Sequence, residues 1–339
     1  LVSFNSALNS AVKKGGAAMV HDNSEMNVTS TTVTDNVATR GGGFMVQFSS
    51  VLRLTGDVCI VKCVARLYGG AGYGLVDSTI DLSGTIVVGD NSAGNNGGGF
   101  FNYRSKRFIA SGEVSISNNV VLPGGSGLAG AVLLGGGSGG VMELYDGVKV
   151  SNNIVPFCGA GTWAEGAGAV MFATGVIFDN NHALGFNSDG TPDVRSVGGA
   201  LYLEDGASAL VYRSILRNNS AYQGGGLYDR GNVPLGSVVV EDSLFESNVA
   251  YGGEGGGARF SGRPTRVTRV VFSNNTASFG SGGGAVFGSG TPAKFHDCTF
   301  VGNVALKGGA LSGNGQGAIV QVVSTTFRRN FAFLEGGGE

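Results

Sequence analysis

Residues 272–287 read FSNNTASFGSGGGAVF and contain the two short patterns that decide the fold. The first is an apolar residue followed three positions later by asparagine, here Phe272 and Asn275. The second is a glycine pair before small and apolar residues, here Gly283-Gly284-Ala285-Val286. Either pattern alone is uninformative, but both return in the same order along the chain. A unit repeated through a whole chain predicts a solenoid.

The apolar-x-x-Asn pattern returns at a nearly constant spacing in the second half of the chain. The spacings between its asparagines are 38, 29, 27, 28 and 27 residues, and the first is long because residues 185–197 are inserted. We therefore expect a structural ladder with these members: Phe178 and Asn181, Leu216 and Asn219, Phe245 and Asn248, Phe272 and Asn275, Phe300 and Asn303, Phe327 and Asn330.

Less regular copies of the apolar-x-x-Asn pattern occur earlier in the chain and end at Asn36, Asn119 and Asn153. The glycine-pair pattern also continues toward the N-terminus, for example at Gly41-Gly42 and Gly97-Gly98. The whole of 1–339 is therefore predicted to be one solenoid of about eleven coils, with degenerate coils in 1–118 and regular coils in 119–339. Both chain ends interrupt a motif, so we expect this chain to be part of a longer one.

Composition and local patterning favour strands over the other repeat folds. The 63 glycines among 339 residues come with only six prolines, which excludes collagen, and 42% hydrophobic residues with 14% charged residues exclude disorder. Runs such as Val238–Val240 and residues 319–323 are rich in β-branched residues, as strands are. No Leu-x-x-Leu-x-Leu repeat occurs, and Trp163 is the one tryptophan. The prediction is an all-β, single-stranded parallel β-helix.

Each pattern then has a mechanical role. Equivalent residues of successive coils stack about 4.8 Å apart in columns. We expect the Phe column inside the coil, and the Asn column at a corner, where asparagine tolerates left-handed geometry and its amide bonds to the next amide. The glycine pair suits a second corner where a Cβ would collide with the backbone.

The ordered alternation of FxxN and GGA-Leu/Ile/Val resembles the repeat of chlamydial polymorphic outer-membrane proteins. The resemblance covers nearly the whole chain and is most regular from Phe178 onward. It implies a right-handed β-helix, display at the cell surface, and a role in adhesion or extracellular assembly. The sequence departs from the repeat at Leu216, which replaces Phe, and at Arg259, which follows Gly256-Gly257-Ala258.

Charge and residue types exclude several partners. The formal charge of −2 gives no basic footprint for nucleic acid, and no run of 18 apolar residues predicts a membrane-spanning helix in this chain. His21, His182 and His296 are scattered and no CxxC occurs, so we expect no metal and no cofactor.

The four cysteines are too few for a disulfide scaffold in a chain of this length. Cys59 and Cys63 would lie about 13 Å apart on a continuous strand, and they could bond only if the chain turned between them. Val61-Lys62 gives no turn signal, so two buried free thiols are predicted. Cys158 and Cys298 lie too many coils apart to bond to each other.

Three sequons offer sites for N-glycosylation, at Asn27, Asn218 and Asn274. In a secreted eukaryotic protein these would be glycan acceptors. The alternative is chance, because a repeat rich in Asn, Ser and Thr generates sequons freely.

The positions of the carboxylates bear on catalysis, because β-helices also carry polysaccharide lyases and hydrolases, which need neighbouring acids. Aligning the glycine pairs at 198 and 224 places Glu204 level with Arg230, and Asp229 level with Leu203. Asp242 and Asp297 fall in coils that are not neighbours. A cross-coil ion pair, and not a carboxylate cluster, is therefore predicted here, and no catalytic residues are assigned. The segments 185–197 and 135–140 are either contact loops or tolerated insertions.

These observations favour an extracellular structural or adhesive module, a rigid part of a larger cell-surface or filament protein. Its expected partners are other subunits of the surface assembly or fibre, or glycans. A polysaccharide-degrading enzyme, lyase or glycoside hydrolase, is the alternative on the same fold. An ice-binding surface would need regular outward threonine rows, which the sequence lacks.

Overall fold

The computed structural model describes residues 2–3, 14–124, 127–135, 139–186, 190–231, 235–288, 290, 292–313, 317 and 319–335. These residues form strands, turns and bends without any helix. The strands pair in parallel in three sheets, and each coil of the chain pairs with the next coil. The predicted all-β parallel solenoid of about 11 turns is confirmed. Within the described ranges, no helix suited by length and hydropathy to cross a membrane occurs.

The wide sheet contains 21 strands and receives two strands from most coils. Two of its strands run unbroken through both positions, Val51–Val61 and Thr79–Gly89. The others are Val2–Ser3, Glu25–Thr29, Thr32–Thr34, Arg107–Ser111, Val114–Ser117, Val141–Leu144, Lys149–Ser151, Val170–Thr174, Ile177–Asp179, Ser208–Tyr212, Ile215–Arg217, Val238–Glu241, Leu244–Glu246, Thr265–Thr268, Val271–Ser273, Pro292–His296, Thr299–Val301, Ile319–Val323 and Thr326–Arg328.

Two narrower sheets of 11 strands each complete the coils. The Asn-side sheet follows the asparagine corner and comprises Val37–Arg40, Val64–Tyr68, Ser92–Ala93, Val120–Val121, Ile154–Val155, His182–Ala183, Ser220–Ala221, Val249–Ala250, Thr276–Ser281, Val304–Lys307 and Phe331–Glu335. The Gly-side sheet follows the glycine corner and comprises Ala18–Val20, Phe44–Gln47, Gly72–Leu75, Phe100–Tyr103, Val132–Gly135, Thr162–Glu165, Leu201–Glu204, Leu227–Asp229, Ala258–Phe260, Ala285–Phe287 and Leu311–Gly313.

The phenylalanines of the motif stack as a column inside the solenoid. The ring centroids of Phe245 and Phe272 are 4.9 Å apart, and those of Phe272 and Phe300 are 4.7 Å apart with nearly parallel planes. Phe327 continues the stack 5.1 Å beyond Phe300, but 47% of it is exposed in the last coil. Alternate residues of each short strand point inward, so the core is a continuous line of apolar side chains.

The asparagines form a ladder of side-chain amides that crosses every coil boundary in the second half. In each step the Nδ2 group donates to the Oδ1 atom of the next asparagine and to a backbone carbonyl of the preceding coil. For Asn275 these acceptors are Asn303 Oδ1 at 3.0 Å and Phe245 O at 2.9 Å. The same pattern links Asn119, Asn153, Asn181, Asn219, Asn248, Asn275, Asn303 and Asn330.

The prediction that the ladder asparagine adopts left-handed geometry is wrong. The positive φ belongs to the preceding residue, with φ of 56° at Asn218, 54° at Asn274 and 53° at Arg329. The ladder side chain must point inward to reach the next coil. The sharp turn therefore falls on the neighbour, whose side chain faces solvent.

The ladder also includes a residue between Asn36 and Asn119 that the sequence analysis did not identify. Asn91, in the segment Val88-Gly89-Asp90-Asn91, donates to Asn119 Oδ1 at 3.0 Å. Cys63 occupies the equivalent position one coil earlier, where its backbone N–H donates to Asn91 Oδ1 at 2.9 Å. The coils before Asn119 thus pair in the same three sheets as the later ones.

The predicted burial of both Cys59 and Cys63 is wrong for Cys59, which lies on the outward face of Val51–Val61 and is only half-buried. The chain does turn between the two residues, because Lys62 has a φ of 56°. This turn places Cys63 in the core without bringing the thiols together. All four cysteines are free.

The glycine corner behaves as predicted. Gly255 has a φ of 72°, and a Cβ on Gly256 would lie 2.5 Å from the Thr276 carbonyl oxygen and 2.6 Å from that of Gly283. Real Cβ atoms do not approach backbone oxygens this closely. Glycine is therefore favoured at this corner, although Ala129, with a φ of 54°, and Ala160 occupy equivalent positions in two of the coils.

Candidate functional site

A column of large side chains runs along the outer face of the Gly-side sheet. Its members occupy one register position in successive strands: Met19, Met45, Tyr73, Phe101, Leu133, Trp163, Tyr202 and Tyr228. The Trp163 and Tyr202 rings meet edge to face at 5.1 Å, and those of Tyr202 and Tyr228 lie 5.6 Å apart. Most of these side chains are buried in a second apolar cluster outside the main core.

Sequence reasoning missed this column, although the signal was present. Each aromatic residue lies four positions after the first glycine of a corner, as in Gly159 to Trp163, Gly198 to Tyr202 and Gly224 to Tyr228. Successive residues of a strand point to opposite faces. The residue before each aromatic points into the core, so the aromatic side chain itself points outward. An alignment of the positions after the glycine pairs would have shown the column.

A cavity of about 420 Å³ opens over this column between the coils that contain Trp163 and Tyr228. We call it the aromatic cleft. Its lining includes Phe157, Trp163, Arg195, Tyr202, Tyr228 and Arg230.

The insertion at 185–197 supplies one wall of the aromatic cleft through Val194, Arg195 and Val197. Arg195 binds the Asp193 carboxylate through two nitrogens and lies 4.2 Å above the Phe157 ring. The Cys158 thiol donates to the Arg195 carbonyl at 3.2 Å, and burial raises the pKa of this thiol to about 12. Cys158 is therefore a protonated wall residue at neutral pH. Within the insertion, residues 187–189 lie outside the described residues, as do 136–138 of the other predicted loop.

The predicted ion pair between Glu204 and Arg230 is present at the rim of the cleft, and Asp229 is level with Leu203 as predicted. The prediction that acids do not cluster here is wrong, because Glu204 is also the register partner of Glu165 in the preceding coil. Burial and then the Glu204 charge raise the pKa of Glu165, and burial raises the pKa of Glu204 against the opposing effect of Arg230. Two partly desolvated carboxyls and a guanidinium therefore form one row.

One polar group in the cleft has no partner among the described residues. The Nε1 atom of Trp163 is buried without a hydrogen bond, and the residue is 4% exposed. A buried indole N–H normally finds an acceptor, because leaving it unpaired costs about 1–3 kcal/mol. An acceptor from outside the chain would remove that cost.

Other predicted residues lie elsewhere. Asp242 and Asp297 are separated by the coil of Arg269, which binds Asp242 through two nitrogens at 2.6 and 2.8 Å. Asn27, Asn218 and Asn274 are all exposed on the surface. The described residues contain no group of three or more His, Cys, Asp or Glu side chains arranged to hold a metal ion.

A buried ion pair was also missed by sequence reasoning. Asp229 occupies an inward position and pairs with Arg263, and both side chains are fully buried. Burial raises the pKa of Asp229 to about 6, although Arg263 opposes the rise. Because the pair lies in the core behind the Gly-side sheet, it is structural and does not form part of the cleft.

The fold and cleft together define a class of protein: a parallel β-solenoid with an aromatic cleft on one outer face. Comparison of the sequence and structure with protein-family models, with curated proteins and with solved structures finds no match.

Proposed function

We propose that this chain is an extracellular structural or adhesive module, a rigid scaffold within a larger cell-surface or filament protein. The observation that carries the proposal is the unbroken amide ladder from Asn91 to Asn330, which joins coil after coil with the same hydrogen bonds. Eleven coils spaced by about 4.8 Å give a rod about 50 Å long. Such a rod suits the display of surfaces to neighbouring subunits or glycans.

Cross-coil ion pairs support the same proposal. Arg217 binds Asp179, Arg266 binds Glu241, and Arg269 binds Asp242, each across one coil boundary. These pairs help to hold successive coils in register on the outer surface, as the asparagine ladder does in the interior. Individually they add little, about 0–1 kcal/mol each, because the arginine of each pair remains in contact with solvent.

Electron microscopy of the protein purified from its native source, without dissociation, tests the scaffold proposal. The expected image shows rods packed with other subunits in a fibre or surface assembly. Free, isolated rods under conditions that preserve other surface assemblies would overturn it.

The proposal includes glycosylation at the exposed sequons. Asn274 offers the best geometry, since it protrudes at the corner with a φ of 54°, whereas the Asn218 amide donates to Asp179 Oδ1 at 3.0 Å. Expression through a eukaryotic secretory pathway should give a mass shift that peptide N-glycosidase removes. An Asn274→Gln variant should lose one glycan, and an unshifted mass for the unaltered chain would contradict the assignment.

A polysaccharide-degrading enzyme is the second candidate, and the Glu165–Glu204 row is the observation that favours it. Glycoside hydrolases use two neighbouring carboxyl groups, and the register places the backbones of Glu165 and Glu204 on adjacent strands, about 4.8 Å apart. Incubation with polysaccharides, followed by measurement of new reducing ends, decides between the two. The scaffold proposal expects no release, and release abolished by Glu165→Gln would replace it with the enzyme.

A further inference from the structure

We propose that the aromatic cleft binds one pyranose ring of a neutral glycan, an assignment that rests on the glycan contacts of the proposed function and gives them a site. The size of the cavity is the first support. Its volume of about 420 Å³ falls in the range of small-ligand pockets, roughly 300–1,000 Å³. One wall consists of Val194, Arg195 and Val197, which belong to the inserted segment.

The apolar walls suit the C–H face of a sugar. Phe157 and Tyr228 are only partly buried and present aromatic surface to the cavity, while Trp163 and Tyr202 form its floor. Aromatic rings combine a large apolar area with an electronegative face, which attracts the slightly positive C–H groups of a pyranose.

The polar groups suit hydroxyls. Trp163 lines the same cavity, and its buried N–H has no acceptor within the described residues. The Glu204 carboxylate supplies acceptor sites, and the Arg230 guanidinium supplies donors beside it. Adjacent donors and acceptors match neighbouring sugar hydroxyls, each of which both donates and accepts.

The charges favour a neutral ligand over an acidic one. Arg230 is paired with Glu204, and Arg195 is paired with Asp193. Neither cation therefore requires an anionic partner from the ligand. An acidic sugar would in addition approach the Glu165–Glu204 row, where like charges repel it.

Trp163 allows binding to be measured at the site itself, because it is the only tryptophan in the chain. The whole chain is titrated with chitotriose, cellotriose and maltotriose, and with trigalacturonic acid as the acidic probe, while tryptophan emission is recorded. The expected result is a saturable change in emission with at least one neutral trisaccharide and none with the acidic one. No change with any neutral probe, or a change with the acidic probe only, overturns the assignment.

Variants locate the bound sugar. Arg230→Met should weaken binding of the responding trisaccharide about tenfold or more, because a hydrogen bond from a charged donor is lost. Arg266→Met is the matched control, since it removes an exposed cross-coil ion pair with Glu241 on the wide sheet. Trp163→Phe, followed by calorimetry, removes the indole N–H and should also weaken binding. Equal affinity of all three variants and the unaltered chain would contradict the site.

The outcome for the cleft can be separated from the outcome for the scaffold. Rods packed in a native assembly without trisaccharide binding overturn the cleft assignment alone. Trisaccharide binding by isolated native rods overturns the scaffold proposal and leaves the cleft standing.

Discussion

At the scale of the residue, two side-chain types hold successive coils in register by different forces. Phenylalanine contributes buried area and ring stacking, and asparagine contributes hydrogen bonds that continue from coil to coil. Both are needed because parallel pairing alone does not fix which residue lies over which. A slip of one residue would turn the phenylalanines outward and separate the amides.

The phenylalanine column predicts that replacing Phe272 by alanine destabilises the chain far more than the same replacement of Phe279. Phe272 is fully buried between Phe245 and Phe300, so Phe272→Ala should lower the free energy of unfolding by about 3–5 kcal/mol. Phe279 is 74% exposed, so Phe279→Ala should change it by about 0.5 kcal/mol or less. Urea unfolding followed by circular dichroism measures both. Equal losses would contradict the column.

The asparagine ladder predicts that substitution of Asn275 lowers stability much more than substitution of the adjacent Asn274. Asn275→Ala leaves the Phe245 carbonyl and the Asn248 N–H unpaired in the core and should cost about 3 kcal/mol. The control is Asn274→Gly, because Asn274 is exposed at a φ of 54° where glycine fits without strain. The same urea titration, on protein made without glycosylation, compares them. A larger loss for the glycine variant would refute the ladder as a source of stability.

At the scale of the element, every second residue of a strand points into the core. Few of these inward positions can hold a polar residue. Asp229 is the buried acid among the inward residues of the Gly-side sheet, where its register partner Leu203 is apolar, whereas Asn102 and Thr162 are buried there as neutral polar residues. Arg263 compensates for its charge from the next corner. A buried ion pair of this kind is costly to break but adds little net stability.

This pair predicts strongly non-additive substitutions. Arg263→Met should lower the free energy of unfolding by about 3–5 kcal/mol, because it leaves the Asp229 carboxylate unpaired in the core. The double variant Asp229→Leu, Arg263→Met should restore most or all of the loss, since leucine matches Leu203 in the adjacent coil. Chemical unfolding of the two single variants and the double variant gives the coupling. Additive effects would show that the charges do not interact.

The same pair predicts a dependence of stability on pH. Burial raises the folded-state pKa of Asp229 from 3.8 to about 6, so the folded chain holds its proton at a pH where the unfolded chain has lost it. The stabilising contribution of the protonated form is complete below about pH 4 and disappears as the pH rises through 6. Unfolding measured from pH 4 to 7 should show this fall in the unaltered chain, and the double variant should lack it.

At the scale of the whole molecule, the strands of each coil pair only with those of the neighbouring coils, so the backbone forms a one-dimensional array. Stability in such an array is close to a sum over coils and their interfaces. An insertion between two strands, such as 185–197, is tolerated because the strands before and after it still pair with the preceding coil. These strands are His182–Ala183 and Leu201–Glu204.

The array predicts that one coil can be removed without loss of the fold. Deleting residues 276–303, a span equal to the 28-residue spacing between Asn275 and Asn303, joins Asn275 to Val304, the register partner of Thr276. The shortened chain should remain folded and form a rod shorter by about 4.8 Å. Circular dichroism and small-angle scattering measure the two properties. Deleting residues 276–289 is the control, because half a coil destroys the register and should unfold the chain.

The sequence by itself determined the repeat, the strand content, the Phe and Asn columns, the glycine corner and the Glu204–Arg230 pair. These features could be predicted because each coil repeats the same pattern of residues. Two residues that are one repeat apart in the sequence are therefore neighbours in adjacent coils. The tertiary structure decided which residue takes the left-handed turn, that Cys63 substitutes for an asparagine, and that Asp229 meets Arg263. It also decided that Trp163, Tyr202, Tyr228 and the insertion enclose a cleft. The cleft depends on how side chains of several coils meet on one face. The other features depend on which way a side chain points and how deeply it is buried, and the periodic pattern of the sequence records neither.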